Sequence, residues 1–544
     1  MTISITALDV SFALLGAYLL KRIFSSRSSA PLPPGPKGLP LIGNMLDMPT
    51  SHEWKTFAKW GDQWGNILSV KVLGQPIIIL NSLKTATEML EKKSAIYSDR
   101  PVLMMGSEIV GWKNTLALTP YGDRFREYRK MLHSLMGTRM HMERFHPIEE
   151  LETHRFLRRI LEKPDELPEH IRKTAGAIIL TVSHGYLVKE HDDPFILNAD
   201  IATDQFSRAT EPGAFLVDMV PALRHVPEWF PGAGWKRTAK KWIVDLQRMA
   251  DMPHEYVKQQ MAFASSQASG TALPSFTSSY LDQKLTPEQE HNVKWAAASL
   301  YSGGADTTVS AIYSFFLAMT LYPEVQKKAQ LELDSVIGSD RLPTYSDRAN
   351  LPYVDALVKE VLRWNPVTPL GVTHRLMEDD IHDGYLIPKG SLVIPNIWNF
   401  LHDEQTYREP MKFNPDRFIA SEGREVELDP HTFNFGFGRR YVDSCAFVLT
   451  QDFGAKMNAS HPFIIQISSI CPGMHLADAS VYISCAMALA VLDITKAVEN
   501  GVVVEPVNEY TNGTISHPKP FKCSIKPRSE KASAIITSVE MVQL

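Results

Sequence analysis

Phe435-Gly-Phe-Gly438-Arg-Arg440 is followed, after thirty intervening residues, by Cys471-Pro-Gly473-Met-His-Leu-Ala477. With residues 441–469 set aside, Ile470 becomes a one-residue spacer and the two stretches join as F-x-x-G-x-R-x-C-x-G. Cys471 stands at the start of a long helical pattern, where the dipole favours a thiolate. Gly438 and Gly473 remove side chains where backbone must approach a bound group closely. Cys445 lies nearer Arg440, but it lacks the following x-Gly and opens no amphipathic run. Cys471 is therefore the candidate for a lone functional thiolate.

Working outward, Gly303-Gly-Ala-Asp306-Thr307-Thr308 sits inside a helical pattern over 288–321 whose start is marked by Thr286 and Pro287. An acid beside an alcohol suits proton delivery. Glu360 and Arg363 are spaced i,i+3 on one helix face. Phe413-Asn-Pro-Asp-Arg417-Phe418 follows, and Arg124-Phe125-Arg126-Glu-Tyr-Arg129 lies upstream. Further helical patterns are expected over 82–93, 122–136, 323–337, 353–363 and 474–498. Strands are expected over 67–72, 76–80, 392–395 and 520–525. The body thus reads as mainly α with a minor β part.

These motifs, in this order over nearly the whole chain, resemble the cytochrome P450 family, in particular a fungal microsomal class II haem-thiolate monooxygenase. The resemblance implies the P450 fold with haem b as cofactor and Cys471 as axial thiolate. It implies that Arg440, Arg129 and His374 hold haem propionates, and that Phe435, Gly438 and Gly473 shape the ligand loop. It implies Asp306 and Thr307 as the oxygen-activating pair, and Glu360, Arg363 and Arg417 as a buried structural network. Phe125 departs from the family pattern, which places a tryptophan there. The implied partners are an NADPH-cytochrome P450 reductase and an apolar small-molecule substrate. Arg124, Arg126 and Lys130 form either a solvated face or a basic patch for that acidic reductase. Pocket positions expected by resemblance are Met104, Met105, Ile109, Ala298, Val367, Leu370, Val372, Thr514 and Ile515.

Residues 3–20 are mostly apolar, and an 18-residue helix would span ~27 Å, about a bilayer core. Lys21, Arg22 and Arg27 follow, with no positive side chain before them. This asymmetry predicts a retained single-pass anchor over 1–20 in membrane lipid and a cytosolic body. A cleaved signal peptide would carry its charge before the apolar run. With the resemblance, the expected location is the endoplasmic reticulum membrane. A basic, proline-rich hinge over 21–43 contains Pro31-Leu-Pro-Pro-Gly-Pro36, a stiff spacer. The haem-thiolate domain is expected over 44–544. The run 211–242, an apolar loop beside Lys236, Arg237, Lys240 and Lys241, reads as a membrane-dipping loop or as a packed interhelical loop.

Composition narrows the function classes. The 544 residues are 44% hydrophobic and 22% charged, ordinary for a globular chain. Net charge is −5, so no basic excess points to nucleic acid. The four cysteines exclude a disulfide framework.

The 29 residues from Tyr441 to Ser469 read as an insertion in the haem-binding signature. Their length keeps the reading frame. Arg440-Tyr441-Val442 can be encoded with a splice donor and Ser469 with an acceptor, so a retained intron explains them. Two outcomes stay open. The chain is a working monooxygenase that hydroxylates or epoxidises, in secondary metabolism or xenobiotic oxidation. Alternatively it is a haem-deficient inactive product, because the insertion separates Arg440 from Cys471.

Overall fold

The computed structural model describes Gly16 and residues 30–211, 213–266, 273–437 and 471–541. Apart from Gly16, the expected anchor over 1–20 lies outside the described residues, as do Gly438, Arg440, Cys445 and the insertion over 441–469.

Helices of eight or more residues dominate. In chain order they are α1 (Glu53–Trp64), α2 (Asp123–Met136), α3 (His146–Glu162), α4 (Leu167–His184), α5 (Pro194–Thr210) and α6 (Trp235–Ser266), then α7 (Pro287–Gly304), α8 (Thr307–Leu321), α9 (Pro323–Val336), α10 (Pro352–Trp364), α11 (Met474–Val491) and α12 (Glu530–Thr537). Four strands form one sheet: β1 (Ile67–Val72), β2 (Gln75–Leu80), β3 (His374–Arg375) and β6 (Leu392–Pro395), in the order β1-β2-β6-β3. β2 runs parallel to β6. Two-stranded ribbons pair β4 (Asp380–His382) with β5 (Tyr385–Ile387), β7 (Leu492–Lys496) with β10 (Cys523–Pro527), and β8 (Val498–Glu499) with β9 (Val502–Val503). The mainly α architecture with a minor β part is as expected.

Four elements differ from the sequence expectation. The helix expected over 288–321 is two helices, broken at Ala305 and Asp306. Gly303 and Gly304, poor helix formers, end the first one. The pattern over 474–498 turns from helix to strand after Val491. Leu492, Asp493, Ile494 and Thr495 alternate buried and exposed, and Ile494 and Thr495 are β-branched. Over 82–93, only residues 83–86 are α-helical, and a π-turn takes Thr87–Lys92. The last strand is shifted from 520–525 to Cys523–Pro527.

α11 is long and apolar enough to cross a membrane, but 78% of it is buried within the protein. It is a core helix. α7 starts with a reciprocal capping box, Thr286 with Gln289. α8 is buried along nearly its whole length and shares a core cluster with α11 and α10. These packed helices fix Thr307 at one end of α8 and Cys471 just before α11.

Candidate active site

A cavity of about 290 Å³ is lined by residues from α2, α4, α7 and α8 and from both sides of the interrupted signature. Cys471, Pro472 and Gly473 form part of its wall. Gly303, Gly304, Thr307 and Thr308 form another. Phe435, Gly436 and Phe437 join them. Phe437 and Cys471 thus border one space although 34 positions apart.

Glycines serve different ends here. A Cβ on Gly303 would meet nothing within 4 Å, so its bare backbone leaves room in the cavity. A Cβ on Gly304 would come within 2.5 Å of Ile179 Cδ1, so there glycine permits packing on α4. Gly473 has an ordinary φ of −86°, and an added Cβ would sit 3.8 Å from Cys471 Sγ. Among the described residues of this loop, the backbone that favours glycine is at Gly436, φ +95°. Gly438, expected to permit close backbone approach, lies outside the described residues.

The cationic side chains fit an anionic group. Arg129 on α2 is 6% exposed. Burial pulls its guanidinium down to about 10, against the upward pull of Cys471. A buried cation is costly unless a carboxylate or similar anion meets it. Arg100 was missed by sequence reasoning. It borders the cavity, and its Nη1 donates to the carbonyls of Val372 at 2.5 Å and Thr373 at 3.0 Å. Its buried Nε has no hydrogen-bond partner among the described residues. No spacing signal marks it, because its partners lie some 270 residues downstream.

His374 also borders the cavity. Its Nδ1 donates to Tyr97 O at 2.8 Å. Burial pushes the ring down to about 4, against that hydrogen bond. The ring is neutral as it stands. To hold a carboxylate through Nε2 it must gain a proton, which a nearby carboxylate would favour.

Thr307 borders the cavity, and its hydroxyl donates to Gly303 O at 2.8 Å. Asp306 does not share that wall. It is 8% exposed, with Oδ1 at 3.2 Å from His517 Nε2 and 3.7 Å from Arg172 Nη1. Burial alone would raise this carboxyl, but the His517 hydrogen bond and the charges of His517 and Arg172 outweigh it and hold it below the usual range. Arg172 also lies 3.6 Å from Asp200, whose carboxyl burial pushes up to about 6.

The structural network is present and larger than expected. Glu360 takes bonds from Arg363 Nε at 2.7 Å and Nη2 at 2.9 Å. Arg417 Nε stands 3.0 Å from Glu360 Oε2 as an ion pair, without hydrogen-bond alignment. All three are at most 1% exposed. Glu427, not foreseen, takes a 2.5 Å bond from Arg417 Nη1.

Phe125 is buried and lies 5.8 Å from Tyr121, centroid to centroid. Arg124 is tied to Asn114 Oδ1 and Lys113 O rather than freely solvated. Arg126 pairs with Asp123 at the surface. Of the expected pocket positions, Val367 and Val372 border the cavity. Met104, Met105 and Ala298 are buried in the adjoining core cluster. Leu116, Leu132 and Leu300 border the cavity unforeseen.

The thiol, the buried cations and the space beside them suit a planar, metal-bearing dicarboxylate. The family model for cytochrome P450 matches residues 33–441, well over half of the chain. The chain belongs to the cytochrome P450 family. Cytochrome P450 monooxygenase 208 of Postia placenta is 55% identical over 534 residues, 98% of each chain. Cytochrome P450 monooxygenase claR of Ampulloclitocybe clavipes is 46% identical, over 98% of this chain and 93% of its own. Cytochrome P450 monooxygenase ppsD of Aspergillus oryzae is 42% identical, over 94% and 91%. This P450 is therefore an oxidoreductase of the monooxygenase type. The family implies haem with a thiolate on iron, and Cys471, Arg100, Arg129 and His374 are the described residues suited to hold it.

Proposed function

We propose that this P450 inserts one atom of O2 into a C–H or C=C bond of an apolar small molecule. Cys471 at the wall of a cavity shared with Thr307 is the observation that carries the proposal. For hydroxylation the balance is substrate plus O2, two electrons and two protons, giving alcohol and water. Haem bound through a thiolate supplies the oxygen-activating and electron-accepting chemistry. The protein supplies the rest. Leu116, Leu132 and Leu300 exclude water and hold an apolar substrate by burial. Arg100 and Arg129 orient the cofactor by its carboxylates. Thr307 places a hydroxyl in the cavity, and Asp306 stores a negative charge behind it that can take up and release a proton.

Electrons come from NADPH through a partner reductase. An anchor over 1–20 holds the protein on the endoplasmic reticulum membrane through lipid contact, with the hinge over 21–43 and the domain over 44–544 in the cytosol. The charge asymmetry of the N-terminus supports this. Fungal secondary metabolism or xenobiotic oxidation is the setting, in line with relatives from fungi. Residues 441–469 are an insertion, possible to encode as a retained intron. The family match stopping at Tyr441 supports that.

Co-expression with an NADPH-dependent reductase and a screen of apolar substrates tests the function. Substrate-dependent NADPH use with an oxygenated product is expected. A haem-loaded protein that accepts electrons yet oxygenates nothing in a broad apolar panel would overturn it.

A further inference from the structure

We infer that His517 is a positioning residue for Asp306 and the group that passes protons to it from solvent. This rests on the proposed monooxygenase function. Asp306 is buried and stands one residue before Thr307 at the break between α7 and α8. Two basic side chains reach it, His517 at 3.2 Å and Arg172 at 3.7 Å. Arginine does not release its proton in proteins, whereas an imidazole gives and regains one near neutrality. Only His517 of the pair can therefore feed the acid. Its side chain is 21% exposed, against 11% for that of Asp306, so it is the more open of the two to water.

The loop carrying His517 is built to hold that contact. His517 N donates to Thr511 Oγ1 at 3.0 Å, and Thr511 N donates to His517 O at 2.8 Å. Ser516 N donates to Val367 O at 2.8 Å, beside the cavity. Ser310 Oγ donates to Ser516 O at 2.6 Å, and Ser310 N donates to Asp306 O at 3.2 Å. The imidazole is thereby stapled to the same turn of α8 that carries the acid. The transfer balances simply. A ring protonated on both nitrogens gives its Nε2 proton to Asp306 Oδ1, is left neutral with the remaining proton on Nδ1, and regains the Nε2 proton from solvent hydronium, ending as it began. The route runs from solvent through His517 to Asp306 and towards the Thr307 hydroxyl, without crossing the apolar cavity.

His517→Gln separates feeding from mere bonding, because a glutamine amide can still donate to Asp306 but cannot relay. With reductase and a turned-over substrate, product formed per NADPH should fall roughly tenfold or more in His517→Gln. Haem content should stay at the wild-type level. Unchanged product per NADPH would overturn the proposal. A second measurement is independent of turnover, so it decides the contact even if the monooxygenase function fails. Amide deuterium exchange over residues 511–518 should quicken several-fold in Asp306→Asn and stay near wild type in His517→Gln, with α11 unaffected in both. Wild-type exchange over 511–518 in Asp306→Asn would show that the acid does not hold the loop.

Discussion

Arg348 holds both carboxylate oxygens of Asp478, with Nη1 at 2.7 Å from Oδ2 and Nη2 at 3.0 Å from Oδ1. Asp478 lies early in α11, shortly after Cys471, so this fork fixes the helix that follows Cys471 to the turn before α10. His431 completes the arrangement. Its Nε2 lies 3.0 Å from Asp478 and its Nδ1 2.7 Å from Asp429. The same ring stacks on Phe435 at 5.7 Å. A charged bracket therefore supports the loop that borders the cavity on the cysteine side.

His431 gives the protein a pH-dependent element. Burial alone would lower its pKa, but the bonds to Asp429 and Asp478 outweigh that and raise it to about 9 from an ordinary 6.5. A pKa raised on folding adds stability that is full below pH 6.5 and disappears as pH rises through about 9. Denaturant unfolding at pH 6.5 and pH 9.5 should show a large stability gap between wild type and His431→Gln at the lower pH, and a much smaller one at the higher. An equal gap at both values would contradict this.

Glu360→Ala leaves Arg363 and Arg417 buried without their shared carboxylate. Breaking a buried pair from one side costs about 3–5 kcal/mol. Thermal unfolding should show a drop of several degrees or failure to fold, whereas Glu427→Gln, which removes one charge at a 13%-exposed side chain, should cost less. A Glu360→Ala protein as stable as wild type would contradict the account.

Arg129→Leu and Arg100→Leu should each weaken haem retention. A charge-assisted bond is worth about 1.5–3 kcal/mol, roughly ten- to a hundredfold in affinity. Transfer of haem to an apo-globin acceptor measures the loss rate. Rates equal to wild type in both variants would show that neither guanidinium holds the cofactor.

Deleting residues 441–469 should raise haem occupancy, because it restores a one-residue spacer between Arg440 and Cys471. Phe437 and Cys471 already border one cavity, so the shortened chain has little distance to close. Equal or lower occupancy than the full chain would contradict the insertion account.

Much of the site was legible because its chemistry is local in sequence. Cys471 is marked by its x-Gly and the helix behind it, Glu360 and Arg363 by their i,i+3 spacing, and Thr307 by its glycines. What could not be read depends on distant chain segments meeting. Arg100 reaches the backbone at Val372, Asp306 meets His517, and His431 meets Asp478 across 47 positions. No periodicity encodes such pairs. The helix break at Ala305 and Asp306 went unread because helical patterns resume on both sides of Ser302-Gly-Gly-Ala-Asp-Thr-Thr308, although its two glycines mark the place. The strand after Val491 was hidden because a buried helix and a buried strand are both apolar.

The most direct measurement is the absorption spectrum of the reduced, carbon monoxide-treated protein. The full-length chain and Cys445→Ala should both show the red-shifted Soret band of a thiolate-bound haem, and Cys471→Ala should lose it. Retention of that band in Cys471→Ala, or its loss in Cys445→Ala, would contradict the assignment of Cys471 as the iron ligand.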